Sequence, residues 1–181
     1  MPKPSPGRPS RQALRERALL HTGRYATTEA GLARVLTRFV ARSAGPADAE
    51  AAVAAASDIA EIVAELAAAG AVQDASFASG RARRLSRAGR SNRAVAAHLH
   101  ARGVPADLIV QALPTDELAA AVAAMRRRRF GAFRSGVADA DRVRKELAAL
   151  TRAGFPLSVA RQALALNSLD AEQLIAGLRS G

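Results

Sequence analysis

A repeated corner constrains the fold of this 181-residue chain more than any other feature of its sequence. Residues 103–113 align without gaps on residues 154–164, and five of the eleven paired residues are identical. Both copies begin with glycine, an apolar residue and proline: Gly103-Val104-Pro105 and Gly154-Phe155-Pro156. Glycine favours the left-handed conformation that ends a helix, and proline favours the first turn of the next helix. The pattern therefore predicts two helix–corner–helix units of one kind, with a fainter third copy over 44–48.

The segments between the corners have the composition and periodicity of helices. Alanine and arginine, both good helix formers, are abundant, and apolar residues recur at helical spacing, as in 32–40. We therefore expect an all-α protein of about three tandem three-helix repeats, stacked as an elongated, curved helical array. The expected segments are a disordered N-terminal tail over 1–10, a first three-helix repeat over 11–72, a central basic three-helix repeat over 73–113, and a third repeat with a C-terminal helix over 114–181.

Helix boundaries follow from capping residues and from glycine. Gly45-Pro46 predicts the start of a long helix from Ala47 to Ala69, with a buried stripe that includes Val53 and Leu66. Asp74 is expected to cap the next helix and Thr115 to cap a later one, because short polar side chains accept hydrogen bonds from free N–H groups at helix starts.

Charge is distributed in blocks along the chain. The formal net charge is +11, and all but two of the 27 basic residues are arginine. Residues 1–44 and 71–134 are strongly basic, whereas residues 45–70 contain five acidic residues and no basic one. Basic blocks of this kind suit a polyanion or an acidic protein face, although an alanine- and arginine-rich composition is also typical of a GC-rich genome.

The central basic cluster is the candidate binding site. Between positions 81 and 102 there are seven arginines and no acidic residue. On a helical wheel, Arg83, Arg84 and Arg87 lie opposite the apolar side chains of their helix. The candidate residues are Arg81, Arg83, Arg84, Arg87, Arg90, Arg93 and Arg102, followed in rank by Arg126, Arg127, Arg128 and Arg129.

The sequence contains no signature of catalysis or cofactor binding. Phosphate-binding glycine loops and a nucleophile elbow are absent, so we expect no enzyme activity and no cofactor. His98 and His100 point to nearly opposite sides of a helix, which argues against a shared metal ion. There is no cysteine, no apolar stretch of transmembrane length and no apolar signal core at the N-terminus, so we expect a cytoplasmic protein.

The central segment contains a characteristic series of residues: Asp74-x-x-Phe77-Ala78, then Arg84 and Gly89, then Val95-x-x-x-Leu99-x-x-Arg102-Gly103-Val104. This series resembles the helix opening and the progression into the corner of the bacterial RecX family of recombination regulators. Lys145-x-Leu147 through Arg152-x-Gly154-Phe155 resembles the third unit. The resemblance covers about residues 11–165 and is strongest over 74–113, although Ser91 stands where glycine or proline is typical.

The resemblance implies a function. RecX-like proteins are helical repeat proteins that bind the RecA nucleoprotein filament and restrain its ATPase and strand-exchange activities, often touching DNA. The implied role is a non-catalytic regulator of RecA in DNA repair, recombination and the SOS response. We expect no membrane partner, and because the repeats lie within a single chain we expect a monomer. The alternative is a general nucleic-acid-binding helical repeat protein that acts independently of RecA.

Overall fold

A computed structural model describes residues 9–44 and 53–180 of the chain. These residues form ten α-helices and one short 3-10 turn, and they contain no strand. The expected all-α class is therefore confirmed. The helices are α1 (Arg11–Thr22), α2 (Glu29–Ala44), α3 (Ala56–Ala68), α4 (Asp74–Arg87), α5 (Asn92–Ala101), α6 (Ala106–Ala112), α7 (Leu118–Arg128), α8 (Ala140–Arg152), α9 (Leu157–Ala165) and α10 (Ser168–Ser180), and the 3-10 turn is Gly131–Phe133.

The chain divides into two compact units. The first contains Met1–Phe77 together with Arg102–Pro105, and the second contains Ala78–Ala101 together with Ala106–Gly181. The boundaries fall inside α4 and on either side of the Gly103 corner, so they do not follow the expected segments over 11–72, 73–113 and 114–181. The division into three repeats stays a prediction.

The first unit has an aliphatic core between α1, α2 and α3. Its side chains follow the helical periodicity of the sequence, and Phe39 packs against the edge of the core. Because no large aromatic side chain is fully buried there, stability depends on close packing of branched side chains. The buried residues are Leu14, Ala18, Leu32, Leu36, Val40, Ala55, Ile59, Ile62, Val63, Leu66 and Val72.

The second unit is built around α7. Every residue of this helix from Ala120 to Met125 is buried, and α9 and α10 pack against it. Leu150 of α8 and Phe155 of the corner complete the core. Such a helix, apolar on nearly every side, is typical of a buried central element.

Each repeated corner packs on the start of an earlier helix. In the first unit, the Thr28 hydroxyl donates to the carbonyl oxygen of Arg102 at 2.7 Å and accepts from the N–H of Gly31 at 2.9 Å. In the second unit, the Ser91 hydroxyl donates to the carbonyl oxygen of Ala153 at 2.8 Å and accepts from the N–H of Ala94 at 3.3 Å. Thr28 and Ser91 therefore cap their own helices and bind a corner with the same oxygen atom.

The glycines of the two corners allow this contact. Gly103 and Gly154 have φ values of 81° and 101°, a region that residues with a side chain rarely adopt. A Cβ atom on Gly154 would lie 2.5 Å from the Ser91 hydroxyl, and one on Gly103 would collide with Ala30. The glycines of the corner motif thus also form the surface with which each corner contacts the earlier helix.

Buried carboxylates bind the same helix starts. The N–H of Glu29 donates to Asp74 at 2.9 Å, and the N–H of Asn92 donates to Glu117 at 2.6 Å. Both carboxylates are more than nine-tenths buried. A carboxylate that accepts a free N–H group at a helix start is stabilised by the helix dipole as well as by the bond. Asp74 therefore caps α2, and the expectation that it caps its own helix is wrong.

Two other local predictions are corrected. Helix α3 begins at Ala56, after a turn at Ala55, so the part of the expected 47–69 helix that the structure describes is interrupted. Val53 lies before that turn and is 77% exposed, which removes it from the predicted buried stripe. At the start of α7, the N–H of Leu118 donates to Asp116, so Asp116 takes the role expected of Thr115. Residues 45–52, with the fainter corner, lie outside the described residues.

Replacement of Ser91 tests the corner contact. We expect Ser91→Ala to lower the free energy of unfolding by about 2 kcal/mol, because it removes a helix cap and leaves the Ala153 carbonyl without its partner. Ser10→Ala is the matched control, since Ser10 caps α1 through Ala13 on the exposed surface, and we expect a loss of about 1 kcal/mol or less. Urea denaturation followed by circular dichroism measures both. Equal losses would contradict the double role of Ser91.

Candidate functional site

The arginines of α4 project from its exposed side. Arg83, Arg84 and Arg87 are exposed, whereas Ala78 and Ala82 on the opposite side are completely buried. The alternation follows from helical periodicity, since residues three and four positions apart share a face. The exposed side of this helix therefore presents three guanidinium groups, which differ in the residues that surround them.

Arg83 and Arg87 belong to a groove in the second unit, which we name the α4–α10 groove. The groove has a volume of about 820 Å³ and lies between α4, the segment 112–116, α7 and α10. Its floor is apolar, and its size is that of typical ligand-binding clefts. Arg84 does not line it. The lining residues are Arg83, Ser86, Arg87, Ala112, Leu113, Pro114, Asp116, Ala119, Ala120, Asp170, Gln173, Leu174, Gly177 and Leu178.

A second depression of about 280 Å³ is lined by Ala88, Gly89, Arg90, Ala124, Arg127 and Arg128, and we name it the Gly89 notch. Gly89 allows α4 to end directly on α7, because a Cβ atom there would lie 2.6 Å from the backbone nitrogen of Ala124. Arg127 donates to the carbonyl oxygen of Ala88 at 2.8 Å, which fixes its guanidinium at the rim. Arg90, from the connection between α4 and α5, therefore meets Arg127 and Arg128 of α7 at one notch, with a polarity suited to an anionic oxygen group.

Each of the other candidate arginines contacts a different partner. Arg81 is half-buried and donates to Nε2 of His98 at 3.0 Å, and Arg93 reaches the carbonyl oxygen of Arg152 at 3.3 Å. Arg126 forms an ion pair with Glu172 at 3.3 Å on the surface.

Two further candidate arginines, Arg129 and Arg102, contribute to the fold through their main-chain atoms. Arg129 has a φ of 56° and ends α7 in the left-handed conformation. Arg102 belongs to the first unit, where its carbonyl oxygen accepts from Thr28 and Arg34 while its side chain is exposed. The predicted arginine cluster thus does not lie entirely within the second unit.

The acidic helix α3 neutralises arginines of α1. Arg11 pairs with Glu61 and with Glu65, and Arg15 lies 3.8 Å from Glu65. The hydrogen bond from Arg11 lowers the pKa of Glu61 below its ordinary value. Over residues 9–44 and 53–180, no ion pair joins an arginine between positions 81 and 102 to a carboxylate. The positive charge of the central arginines is therefore not neutralised by a carboxylate within this part of the chain.

Glu146 fixes the segment that follows the arginine-rich end of α7. This carboxylate is 3% exposed and accepts from the N–H of Gly131 at 3.0 Å and from Nε of Arg134 at 3.1 Å. Burial raises the pKa of Glu146, but the hydrogen bonds from Arg134 and Gly131 outweigh burial, and the pKa lies below its ordinary value. The sequence does not distinguish this residue from other acidic residues, because its partners are set by the turn over 131–134.

Two classes of site have no support in the part of the chain that the structure describes. No three histidine, aspartate or glutamate side chains there lie close enough together to hold a metal ion. None of its helices is long and apolar enough to span a membrane.

The charge of Glu146 gives a pH-dependent prediction. Because the folded pKa is lowered, the stabilisation is complete above the unfolded value of about 4.3 and is lost as the pH falls through the folded value. We expect Glu146→Gln to lower the free energy of unfolding by about 3 kcal/mol at pH 7. The difference from the unmodified protein should shrink as the pH falls below the unfolded value of about 4.3 and through the lowered folded pKa of Glu146.

Urea denaturation at pH 7 and pH 3 measures this difference. Glu172→Gln is the control, since Glu172 pairs with Arg126 on the surface, and surface pairs contribute less than about 1 kcal/mol. The assignment is wrong if Glu146→Gln and Glu172→Gln have the same effect, or if the effect of Glu146→Gln is unchanged at pH 3.

Comparison with known proteins gives one family match. Residues 74–113 match the family model described as RecX, second three-helix domain. The match begins with the first residue of α4 and ends one residue after α6. It contains seven of the candidate arginines and confirms, over these residues, the resemblance to the RecX family. No curated protein matches the chain.

Proposed function

The chain carries the second three-helix domain of the RecX family, and from this premise we propose that it is a non-catalytic regulator of the RecA nucleoprotein filament. In this role it binds the filament and inhibits ATP hydrolysis and strand exchange in DNA repair, recombination and the SOS response. The proposed role places it beside the chromosome, in the cytoplasm. It requires no cofactor and no membrane, and a monomer suffices.

The observation that carries the proposal is the position of the family match. The matched segment is the one with seven arginines and no acidic residue between positions 81 and 102. A nucleoprotein filament presents DNA phosphates and protein carboxylates along one surface, and arginine binds both groups through paired N–H donors. A strongly basic segment inside a RecX domain therefore supports contact with the filament.

The Gly89 notch supports a specific contact within this interface. Arg90, Arg127 and Arg128 converge there and are exposed, and no carboxylate lines the notch. Arg127 and Arg128 are held at the rim by bonds to the carbonyl oxygens of Ala88 and Ala149, so less side-chain entropy is lost on binding. We assign a phosphate or a carboxylate of the filament to this notch. Arg83, Arg84, Arg87, Arg93 and Arg102 provide further contacts.

The first test is DNA-dependent ATP hydrolysis by the cognate RecA, titrated with this protein near physiological salt. We expect inhibition at protein concentrations well below those that coat the free DNA, measured in a parallel DNA-only titration. Inhibition that merely follows DNA coating, or no inhibition at all, would reject the proposed function.

The notch itself is tested by the triple variant Arg90→Ala/Arg127→Ala/Arg128→Ala. Loss of three charge-assisted contacts should raise the half-inhibiting concentration at least about tenfold. The matched control is Arg38→Ala/Arg42→Ala/Arg161→Ala, which removes the same charge from exposed positions on α2 and α9. If the two variants inhibit equally well, net charge and not the notch determines binding.

The second candidate function is nucleic-acid binding without RecA. The three converging arginines of the notch favour it, because phosphate contacts need no protein partner. In that case the protein binds DNA tightly on its own, and log affinity falls by about 0.9 per log unit of salt for each phosphate contact. The notch triple variant then has a smaller salt slope by about 2.7, whereas the control variant keeps the original slope.

A further inference from the structure

The α4–α10 groove combines an apolar floor with charged rims. Leu113, Pro114 and Leu174 contribute apolar surface, and Arg83 and Arg87 line the α4 side. A solvent-filled groove of this size with a mainly apolar floor is a favourable place to bury apolar surface of a partner. The proposed contacts with the filament include Arg83 and Arg87 of the α4 side but give no role to the apolar floor of this groove.

A buried hydroxyl in the groove wall lacks a partner. Ser86 lies between the two arginines in the sequence of α4, and it is 5% exposed. Its hydroxyl has no hydrogen-bond partner within the described structure. Because residues 83, 86 and 87 share one helix face, the orphaned hydroxyl and the two guanidinium groups belong to the same wall. The hydroxyl oxygen itself is enclosed by neighbouring atoms, so the two guanidinium groups are the donors that a ligand meets on this wall.

The rim opposite α4 contains two aspartates that already accept hydrogen bonds within the protein. Asp116 accepts from the N–H of Leu118 at 2.8 Å, and Asp170 accepts from the side-chain amide of Asn167 at 2.9 Å. Arg83 and Arg87, in contrast, form no ion pair with a carboxylate among the described residues. The groove is therefore prepared to receive negative charge on its α4 side, and the two aspartates disfavour negative charge on the other side.

This charge pattern selects against nucleic acid. A DNA strand would place phosphates near both rims, where Asp116 and Asp170 repel them. The lining also contains no aromatic side chain on which a base could stack. An apolar ligand with carboxylates along one edge matches both the floor and the two arginines.

Small residues set the shape of the ligand. Ala119, Ala120 and Gly177 line the groove, and a Cβ atom on Gly177 would meet nothing within 4 Å. Small side chains allow a partner backbone to approach closely, which suits a helix lying in a groove between helices. We propose that the α4–α10 groove binds an amphipathic helix of a partner protein, with its carboxylates against Arg83 and Arg87. This protein-docking site goes beyond the proposed function, since it requires neither DNA nor RecA.

The test uses the full chain and two synthetic peptides. The probe is a dye-labelled helical peptide of about 18 residues, five turns, with Leu and Ala on one face and Glu along one edge of that face. In its counterpart every Glu is replaced by Lys. Fluorescence anisotropy should show binding of the Glu peptide at least about tenfold tighter than binding of the Lys peptide, because two charge-assisted contacts distinguish them.

Two groove variants locate the binding. Gly177→Trp introduces a large side chain at a groove position where a Cβ atom meets nothing within 4 Å, and Arg83→Glu/Arg87→Glu reverses the charged wall. The first should reduce affinity for the Glu peptide at least about tenfold, and the second should transfer the preference to the Lys peptide. The controls are Gly80→Trp, on an exposed α4 position with open space, and Arg161→Glu on α9.

The outcomes separate this site from its alternatives. Equal binding of both peptides, or binding insensitive to both groove variants, overturns the proposal. Single-stranded DNA that competes with the Glu peptide and loses affinity in the groove variants assigns the groove to nucleic acid instead. A concentration-dependent dimer in sedimentation that Gly177→Trp converts to a monomer assigns the groove to a second copy of this chain. If circular dichroism shows that Gly177→Trp does not fold, the change of peptide preference expected in Arg83→Glu/Arg87→Glu still tests the proposal.

Discussion

The hydrogen bond from the Ser91 hydroxyl to the Ala153 carbonyl connects the parts of the second unit that the sequence separates by 62 residues. The same oxygen caps α5, so helix start and corner are fixed relative to each other by one buried atom. Thr28 forms the equivalent pair of bonds with Gly31 and Arg102 in the first unit. A buried bifunctional cap of this kind is costly to lose, because removing it leaves two backbone groups without partners. The position of the arginines that follow, Arg93 on α5 and Arg102 at the corner, depends on these caps.

Helices were predictable because their causes are local. Apolar periodicity, glycine ends and proline starts lie within a few residues of the elements that they determine, and the Gly154 corner is an example. The errors concern contacts between distant residues. Asp74 precedes a helix in the manner of a cap, yet it accepts the N–H of Glu29, 45 residues earlier. Val53 fits the apolar stripe of α3 only if the helix continues without a turn, and the turn at Ala55 removes it.

The exposed arginines of the candidate site could be predicted from the sequence, but their arrangement into a groove and a notch could not. Exposure of Arg83, Arg84 and Arg87 follows from the helical wheel, because their positions oppose the buried alanines. Their division between a groove and open surface depends on α7 and α10, which lie beyond the matched family domain. Arg90 and Arg127 are 37 positions apart and meet only because Gly89 allows α4 to end on Ala124. No pattern within either segment contains that information.

The start of α8 differs from the starts of α2 and α5 in the residue that caps it. Helix α8 precedes the Gly154 corner as α5 precedes the Gly103 corner, so Asp139 occupies the position of Ser91 and Thr28. Asp139 caps its helix through the N–H of Arg142 at 2.7 Å, but it is exposed, whereas Ser91 and Thr28 are buried. A hydroxyl both donates and accepts, and thus serves a cap and a corner together, whereas an ionised carboxylate only accepts. An aspartate at this position cannot donate to the carbonyl of a following corner, and an exposed charge is costly to bury under one. The side chain that caps α8 therefore cannot bind a corner with the same oxygen atom, as Thr28 and Ser91 do.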